Sequence, residues 1–248
     1  MPRSLSKKLS NPLFIVIFLS IHTTAILHSQ SDNKVSFTAF DQVIGKTNSG
    51  IFNGIQYFEK YRVINDKHKF FKHKFFIYGS VIYKNQPYFE IALKYDVHSD
   101  ALLVKNSEIL SAPITQLDKN YITQFELDGH LFKKLSFSIK SNSRVAGFFE
   151  VLLTNNAVSV FKKHQKKLSR IVDEETYYEF KDQFQYYIQY KNTYYFLKKV
   201  SLLSSIFPEY KTHLKNSFKK HEKLRKSNRD NYLLAVIDDL NAHMLNKI

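Results

Sequence analysis

The clearest pattern along the chain begins at Phe76, where apolar and polar positions alternate with a period of two. Phe76 to Tyr83 is β-branched and aromatic, Lys84-Asn85-Gln86-Pro87 supplies turn residues, and Tyr88 to Tyr95 resumes the alternation. This period sends successive side chains to opposite faces of a sheet, so the two runs predict a hairpin. A turn at Asp96-Val97-His98-Ser99-Asp100 leads into a third strand, Ala101 to Val104. Tyr121 to Leu127 and His130 to Leu135 flank Asp128-Gly129, a dipeptide suited to two-residue hairpins because both central positions take positive φ. Gly147 to Leu153 and Val158 to Phe161 repeat the arrangement around Asn155-Asn156, as do Tyr186 to Tyr190 and Thr193 to Leu197 around Lys191-Asn192. About nine or ten short strands at close spacing predict an antiparallel meander forming a curved sheet or partial barrel. Residues 31–75, punctuated by Gly45, Gly50 and Gly54, read as loop with one or two short strands.

After Val200 the period becomes helical. Ser201 to Phe207 reads as a short helix, and Pro208 suits the first turn of another that carries Tyr210, Leu214 and Phe218 on one face. Ser227 is placed to start a third helix, with Asp230 three residues on as a capping-box variant and Leu233, Val236, Ile237, Leu240 and Met244 as its apolar stripe. The fold class is thus α+β and mostly β. Residues 30–200 are expected to form the β-rich domain, and residues 201–248 a C-terminal helical segment packing on it. Lys-rich terminal helices also argue against a transmembrane β-barrel, which must close its last strand on its first.

The N-terminal residues change the setting. Arg3, Lys7 and Lys8, with no acidic residue, precede the apolar run Pro12 to Ile21, and polar residues return at His22. That order predicts a secretory signal peptide over residues 1–29, cleaved after Ser29, although Leu27 is not the small residue a peptidase prefers there. The apolar run is shorter than the roughly 20 residues needed to cross a bilayer, so no transmembrane segment is expected in the mature chain. The exported part has no cysteine, which excludes disulfides, thiolate metal sites and lipoprotein attachment and leaves packing as its source of stability. It carries 34 basic against 22 acidic residues, a net charge of +12 once the three basic residues of the signal are removed. Anionic partners follow: a membrane surface, a polyanion or an acidic envelope protein. The exported address argues against nucleic acid.

Motifs with defined chemistry fail on inspection. Gly45-Lys46-Thr47 lacks the first glycine of a phosphate-binding loop, since Phe40 stands there, and His221-Glu222 lacks a second histidine four residues on, where Arg225 stands. His68 with His73 and His213 with His221 lack metal-ligand spacing and read as surface histidines. No Gly-x-Ser-x-Gly nucleophile elbow is present. No catalytic, cofactor or metal residue is therefore assigned. The turn Asp96, His98 and Asp100 is the first place to seek a carboxylate pair, against the simpler reading that both acids cap the turn through its own backbone. Asp173-Glu174-Glu175 and Asp238-Asp239 read as solvated loop and helix surface.

The basic residues are more specific. Between Lys191 and Arg229 eleven Lys and Arg face only Glu209 and Glu222, and Lys211, Lys215, Lys219 and Lys223 recur every four residues. On one helix they form a single basic row, mildly self-repelling unless something anionic meets it. Lys162, Lys163, Lys166, Lys167 and Arg170 form a second cluster open to the same reading, or to that of a solvated face.

Several segments together also resemble a known pattern. Gly79 to Tyr83, Tyr88, Leu93 to Asp96, Asp100 to Val104, Phe125 to Phe132, Gly147 to Leu153 and the Tyr194-Tyr195 strand leading to Phe207-Pro208-Glu209 are similar to an uncharacterised exported β-rich protein family of Bacteroidota-type bacteria. The resemblance implies an envelope or secreted protein and carries no activity with it. The leading functional expectation is an exported non-enzymatic binding or structural module of the cell envelope, periplasmic, outer-envelope associated or secreted. A carrier of lipid or another apolar ligand in a half-open barrel is the alternative, and a carboxylate-dependent hydrolase the second. An apolar cavity or a solid core inside the sheet would separate the first two.

Overall fold

The computed structural model describes residues 50–109, 111–155 and 157–245. The expected signal peptide lies outside the described residues. Among the described residues there are eleven strands: β1 (Ile55–Gln56), β2 (Ile77–Tyr83), β3 (Gln86–Asp96), β4 (Ala101–Lys105), β5 (Thr115–Gln116), β6 (Ile122–Leu127), β7 (His130–Ser138), β8 (Arg144–Thr154), β9 (Val158–Val172), β10 (Thr176–Tyr190) and β11 (Thr193–Leu197). They pair antiparallel in one open sheet of order β1-β5-β4-β3-β2-β6-β7-β8-β9-β10-β11. The meander therefore has two arms. Strands β2 to β5 run outward one way, and β6 returns to the free side of β2 to start the second arm. Turns fall at Lys84-Asn85 and Asp128-Gly129, where three of the four residues are non-glycines held at positive φ, and at Lys191-Asn192, where both are. The largest departure from expectation is the β9–β10 hairpin, whose fifteen paired positions run from Thr176 opposite Val172 to Tyr190 opposite Val158. Its turn is Asp173-Glu174-Glu175, the acidic loop anticipated there.

Curvature has local causes. Gly79 pairs with Ile91 and Val81 with Tyr88, so β3 contributes two residues, Phe89 and Glu90, against Ser80; Glu90 accordingly sits at φ 54°. A bulge of this kind bends its strand and increases the twist. At Gly79 an added Cβ would overlap the Glu126 carbonyl of β6, so glycine permits the junction between the two arms.

One face of β2, β3, β4, β6, β7 and β8 carries the main core, which includes Val81, Leu93, Tyr95, Phe125, Phe132 and Phe148 together with Phe71 from the segment before β2. Phe125 and Phe132 stack with ring centroids 4.7 Å apart, and Phe148 meets Phe125 edge-on at 5.1 Å. The inside of this part of the sheet is a filled aromatic core. A smaller cluster of Phe137, Phe149, Phe161 and Tyr187 occupies the opposite face, where Phe137 stacks on Tyr194 at 3.9 Å.

Residues 57–76 form an irregular strap between the two arms. Phe71 N–H donates to the Tyr95 carbonyl (2.9 Å) and Val97 N–H to the Lys69 carbonyl (3.1 Å) at the end of β3. On the other side, Tyr178 and Phe180 of β10 donate to the carbonyls of Arg62 (2.9 Å) and Lys67 (2.8 Å). The strap thus satisfies backbone groups that β10 would otherwise leave unpaired beyond the reach of β11. The result is a partial barrel clasped by loop rather than by strand.

The C-terminal segment comprises α1 (Leu203–Ile206), α2 (Lys211–Lys220), α3 (Glu222–Ser227) and α4 (Arg229–Leu245). Leu214, Leu233, Val236, Ile237 and Leu240 are buried with Val158, Val160, Tyr186 and Ile188 of β9 and β10, and Tyr210 and Phe218 pack at their margin. The anticipated apolar faces are therefore the ones that dock. The start of α4 differs by one residue: Asn231 N–H donates to Asn228 Oδ1 (3.0 Å), so Asn228 and not Ser227 is the N-cap, and Ser227 Oγ instead donates back to the Lys223 and Leu224 carbonyls. No helix among the described residues is long and apolar enough to cross a membrane.

Candidate functional site

Period two on β7, β8 and β9 places His130, Glu150 and His164 on the face that also carries the main core, at its margin. Glu150, only 6% exposed, receives a hydrogen bond on each oxygen: His130 Nδ1–H donates to Oε1 and His164 Nε2–H to Oε2 (2.6 Å). Burial works to raise the Glu150 pKa, but the hydrogen bonds from His164 and His130 outweigh it and hold the carboxyl at about 2. The ion is thus a buried carboxylate with both oxygens satisfied, the condition under which burial of a charge is tolerated. Lys72 Nζ of the strap lies 2.6 Å from His130 Nε2. An ammonium only donates, so Nε2 accepts and His130 is fixed as the neutral Nδ1–H tautomer. Lys72 also pairs with Asp128 (2.8 Å). His164 Nδ1 has no hydrogen-bond partner among the described residues.

These groups border a half-open cleft of about 400 Å³ between the strap, β7–β10 and the start of α4. Phe71, Val97 and Phe184 are its apolar lining residues, and charged residues, three histidines and Gln183 form the rest. On β9, Lys162, His164 and Lys166 point into it at alternate positions. Lys162 pairs with Asp230 of α4 (2.5 Å), which also accepts from the Tyr186 hydroxyl, and Lys166 pairs with Asp182 of β10 (2.8 Å). Eleven of the fourteen residues that line the cleft are thus charged or polar, and the sheet's apolar interior is filled by its own aromatic rings. Both features favour a polar ligand over an apolar one.

The turn read as a carboxylate pair is divided by the fold. Asp96 is fully buried, accepts from Ser99 N–H (3.0 Å) and Ser99 Oγ–H (3.2 Å), and pairs with Lys69 Nζ at 3.1 Å. Lys69 is itself buried beneath Tyr57, Tyr61 and Phe70 and reaches Glu59 at 2.9 Å, so Asp96 caps its turn and anchors the strap. Asp100 turns elsewhere: it accepts from the Tyr95 hydroxyl (2.6 Å), Lys163 Nζ (2.8 Å) and Lys119 Nζ. Burial opposes its charge, but Lys163 and Lys119 overcome that and hold its pKa below the usual carboxylate value. His98 Nδ1 lies 3.0 Å from the Lys166 carbonyl, with its ring against Tyr61 and Phe180. Each acid faces its own lysine, and the two do not converge on a common cleft.

The two basic clusters separate in the same way. Lys162, Lys163 and Lys166 are buried or nearly so and paired with carboxylates, and Lys162 and Lys166 also line the cleft. Lys211, Lys215, Lys219 and Lys223 are exposed, and none enters an ion pair among the described residues. They do not share one helix, however: α2 ends at Lys220, His221 turns the chain, and Lys223 belongs to α3. The break is held by Asp239, which accepts from Ser217 Oγ (2.7 Å), Lys220 Nζ (2.8 Å) and His221 Nε2 (3.0 Å). His213 and His221 are accordingly half-buried partners of α4 rather than surface histidines, and Asp239 is a hub rather than a solvated acid.

No three His, Asp or Glu side chains form a metal-binding group among the described residues. Comparison with protein-family models, with curated proteins and with solved structures finds no match. Sequence reasoning missed His130, Glu150 and His164. A usable signal was present in Glu150, an acid between Phe148 and Leu152 on the inward side of an apolar strand, because such a position requires partners of its own.

Proposed function

We propose that this chain is an exported, non-enzymatic binding module of the cell envelope, held at an anionic membrane surface by the lysines of α2 and α3. The observation that carries the reading is the contrast between lysines. Those of β9 are satisfied by Asp230, Asp100 and Asp182, whereas Lys211, Lys215, Lys219 and Lys223 stand exposed without an acidic partner among the described residues. Like charges at a spacing of four cost α2 roughly 0.2–0.5 kcal/mol per pair, and a negatively charged surface removes that cost. The apolar side of α2 is occupied by Leu214 and its neighbours against the sheet, so the contact is electrostatic and without insertion. The resemblance to exported proteins of Bacteroidota-type bacteria and the signal-like N-terminus support the envelope address.

The test is co-sedimentation of the exported protein with vesicles containing phosphatidylglycerol, at low and high salt. A juxtamembrane lysine contributes about 1 kcal/mol near such a surface. Replacing all four lysines by glutamine should therefore weaken binding by well over tenfold at low salt and flatten its salt dependence, leaving the melting temperature unchanged or slightly raised. Equal binding by the variant in low salt, or wild-type binding to neutral vesicles as strong as to anionic ones, overturns the proposal.

A further inference from the structure

The polar cleft is independent of the lysine face, and its chemistry points to a ligand of its own. Along β9, Lys162, His164 and Lys166 project from one face at intervals of roughly 6–7 Å, the two-residue repeat of a strand. Each is paired with a carboxylate that itself borders the cleft: Asp230 at 2.5 Å, Glu150 at 2.6 Å and Asp182 at 2.8 Å. A pair of this kind orients a lysine while engaging one of its three donor hydrogens. The other charged groups facing His164 are Lys72, Asp66 and His68 on the strap and His130 on β7. With every imidazole neutral, three lysines meet Asp66, Glu150, Asp182 and Asp230, and the lining is one charge negative.

The histidines are not equivalent. His130 has both ring nitrogens engaged, Nδ1 by Glu150 and Nε2 by Lys72. Burial, together with Lys166, keeps the pKa of His68 below its ordinary value. His164 alone combines a ring nitrogen without a partner, a place on the cleft wall and a carboxylate beneath it that stabilises the imidazolium.

We propose that the cleft is a proton-coupled oxyanion site, in which His164 takes a proton from solvent as an oxyanion settles between Lys162, His164 and Lys166. The added proton cancels the negative charge of the lining and converts Nδ1 from an acceptor into a donor aimed at the ligand. Glu150 remains ionised throughout, so it supports the imidazolium at every pH where histidine titrates. Binding is therefore weak in mildly alkaline solution and strengthens as pH falls.

Isothermal titration of the exported protein with inorganic sulfate tests this directly, because sulfate keeps both charges between pH 5.5 and pH 8 and any pH dependence belongs to the protein. At constant ionic strength, sulfate should bind at least tenfold more tightly at pH 5.5 than at pH 8, with uptake of one proton measured in buffers of different ionisation enthalpy. His164→Gln should bind weakly and without pH dependence. The variant with all four α2–α3 lysines replaced should bind sulfate as the wild type does, which separates this site from membrane attachment. Absent or pH-independent sulfate binding in the wild type, or retained pH dependence in His164→Gln, overturns the proposal. If that variant does not fold, the imidazole resonances of the wild type decide: sulfate must raise the titration midpoint of His164, and an unmoved midpoint refutes the site.

Discussion

Glu150→Gln is the substitution that probes the polar interior most directly. The native carboxyl is held at about 2 against an ordinary value of 4.5. A depression of that size contributes about 3 kcal/mol to stability wherever the carboxyl is ionised in both states. The folded pKa lies below the unfolded one, so this contribution is complete above pH 4.5 and is lost as pH falls toward 2. At pH 3 less than half of it remains. Glutamine keeps the shape, but its amide can accept from only one histidine. His130 cannot change tautomer while Lys72 donates to its Nε2, so the Gln oxygen must face His130 and the amide hydrogens must face His164. His164 then has to carry its proton on Nδ1. Urea unfolding at pH 7 should show a loss of about 3 kcal/mol, and thermal unfolding a drop of roughly 6–12 °C for a chain of this size. The gap between wild type and variant should shrink to less than half by pH 3. A variant within 0.5 kcal/mol of wild type at pH 7, or a gap that stays constant with pH, would refute the account of Glu150 as a buried, doubly hydrogen-bonded anion.

Gly147 sits at φ 131°, and a Cβ there would collide with Lys163 Nζ and the Asp100 carboxylate. Gly147→Ala should therefore cost about 3–5 kcal/mol by urea unfolding, the range for breaking a buried pair, whereas Gly129→Ala, with nothing within 4 Å of the new Cβ, should cost only about 1–2 kcal/mol. Asn228→Ala should lower stability by about 1 kcal/mol and Ser227→Ala by much less; the reverse order would restore Ser227 as the cap of α4.

The strands with one apolar and one polar face were readable because the sheet that they join buries one side. Tyr88 to Tyr95 and Gly147 to Leu153 both retain their expected span inside longer strands. The strand positions from Lys162 to Val172 and from Thr176 to Gln185 were not readable, although they form most of the longest hairpin. On β9 the inward positions hold Lys162, His164 and Lys166 instead of apolar residues, so the alternation has no hydrophobic contrast there, and on β10 Asp182 interrupts the inward row of Tyr178, Phe180 and Phe184. What stabilises those positions is the fifteen-residue register and ion pairing with distant segments, and neither leaves a periodic trace in the sequence. The Asp96–Asp100 turn was located correctly but its acids diverge, because Asp96 is claimed by a strap lysine and Asp100 by β9. The basic row was found, and its break at His221 was hidden because the Asp239 hub that fixes it comes eighteen residues later.

The placement of the helices follows from the point where β9 changes character. Val158 and Val160 are buried beneath α4 and its neighbours, and Lys162 at the next inward position is not apolar. A helix laid along the whole hairpin would bury Lys162, His164 and Lys166 without solvent, at a cost of several kcal/mol for each charge left unpaired. Instead α4 begins at the boundary. Asp230 in its first turn, where the helix dipole favours a negative charge, binds Lys162 and the Tyr186 hydroxyl together. The same carboxylate thus terminates the apolar cover and forms one wall of the cleft. The cleft is open because the inward residues of β9 turn polar from residue 162 to residue 166, opposite Phe184 and Asp182 of β10. Exchanging Lys162 for leucine should therefore remove the boundary: Asp230 would retain only the Tyr186 hydroxyl, and sulfate binding at pH 5.5 should weaken by at least tenfold. Undiminished sulfate binding in a folded Lys162→Leu variant would show that the change of character at residue 162 does not build the cleft.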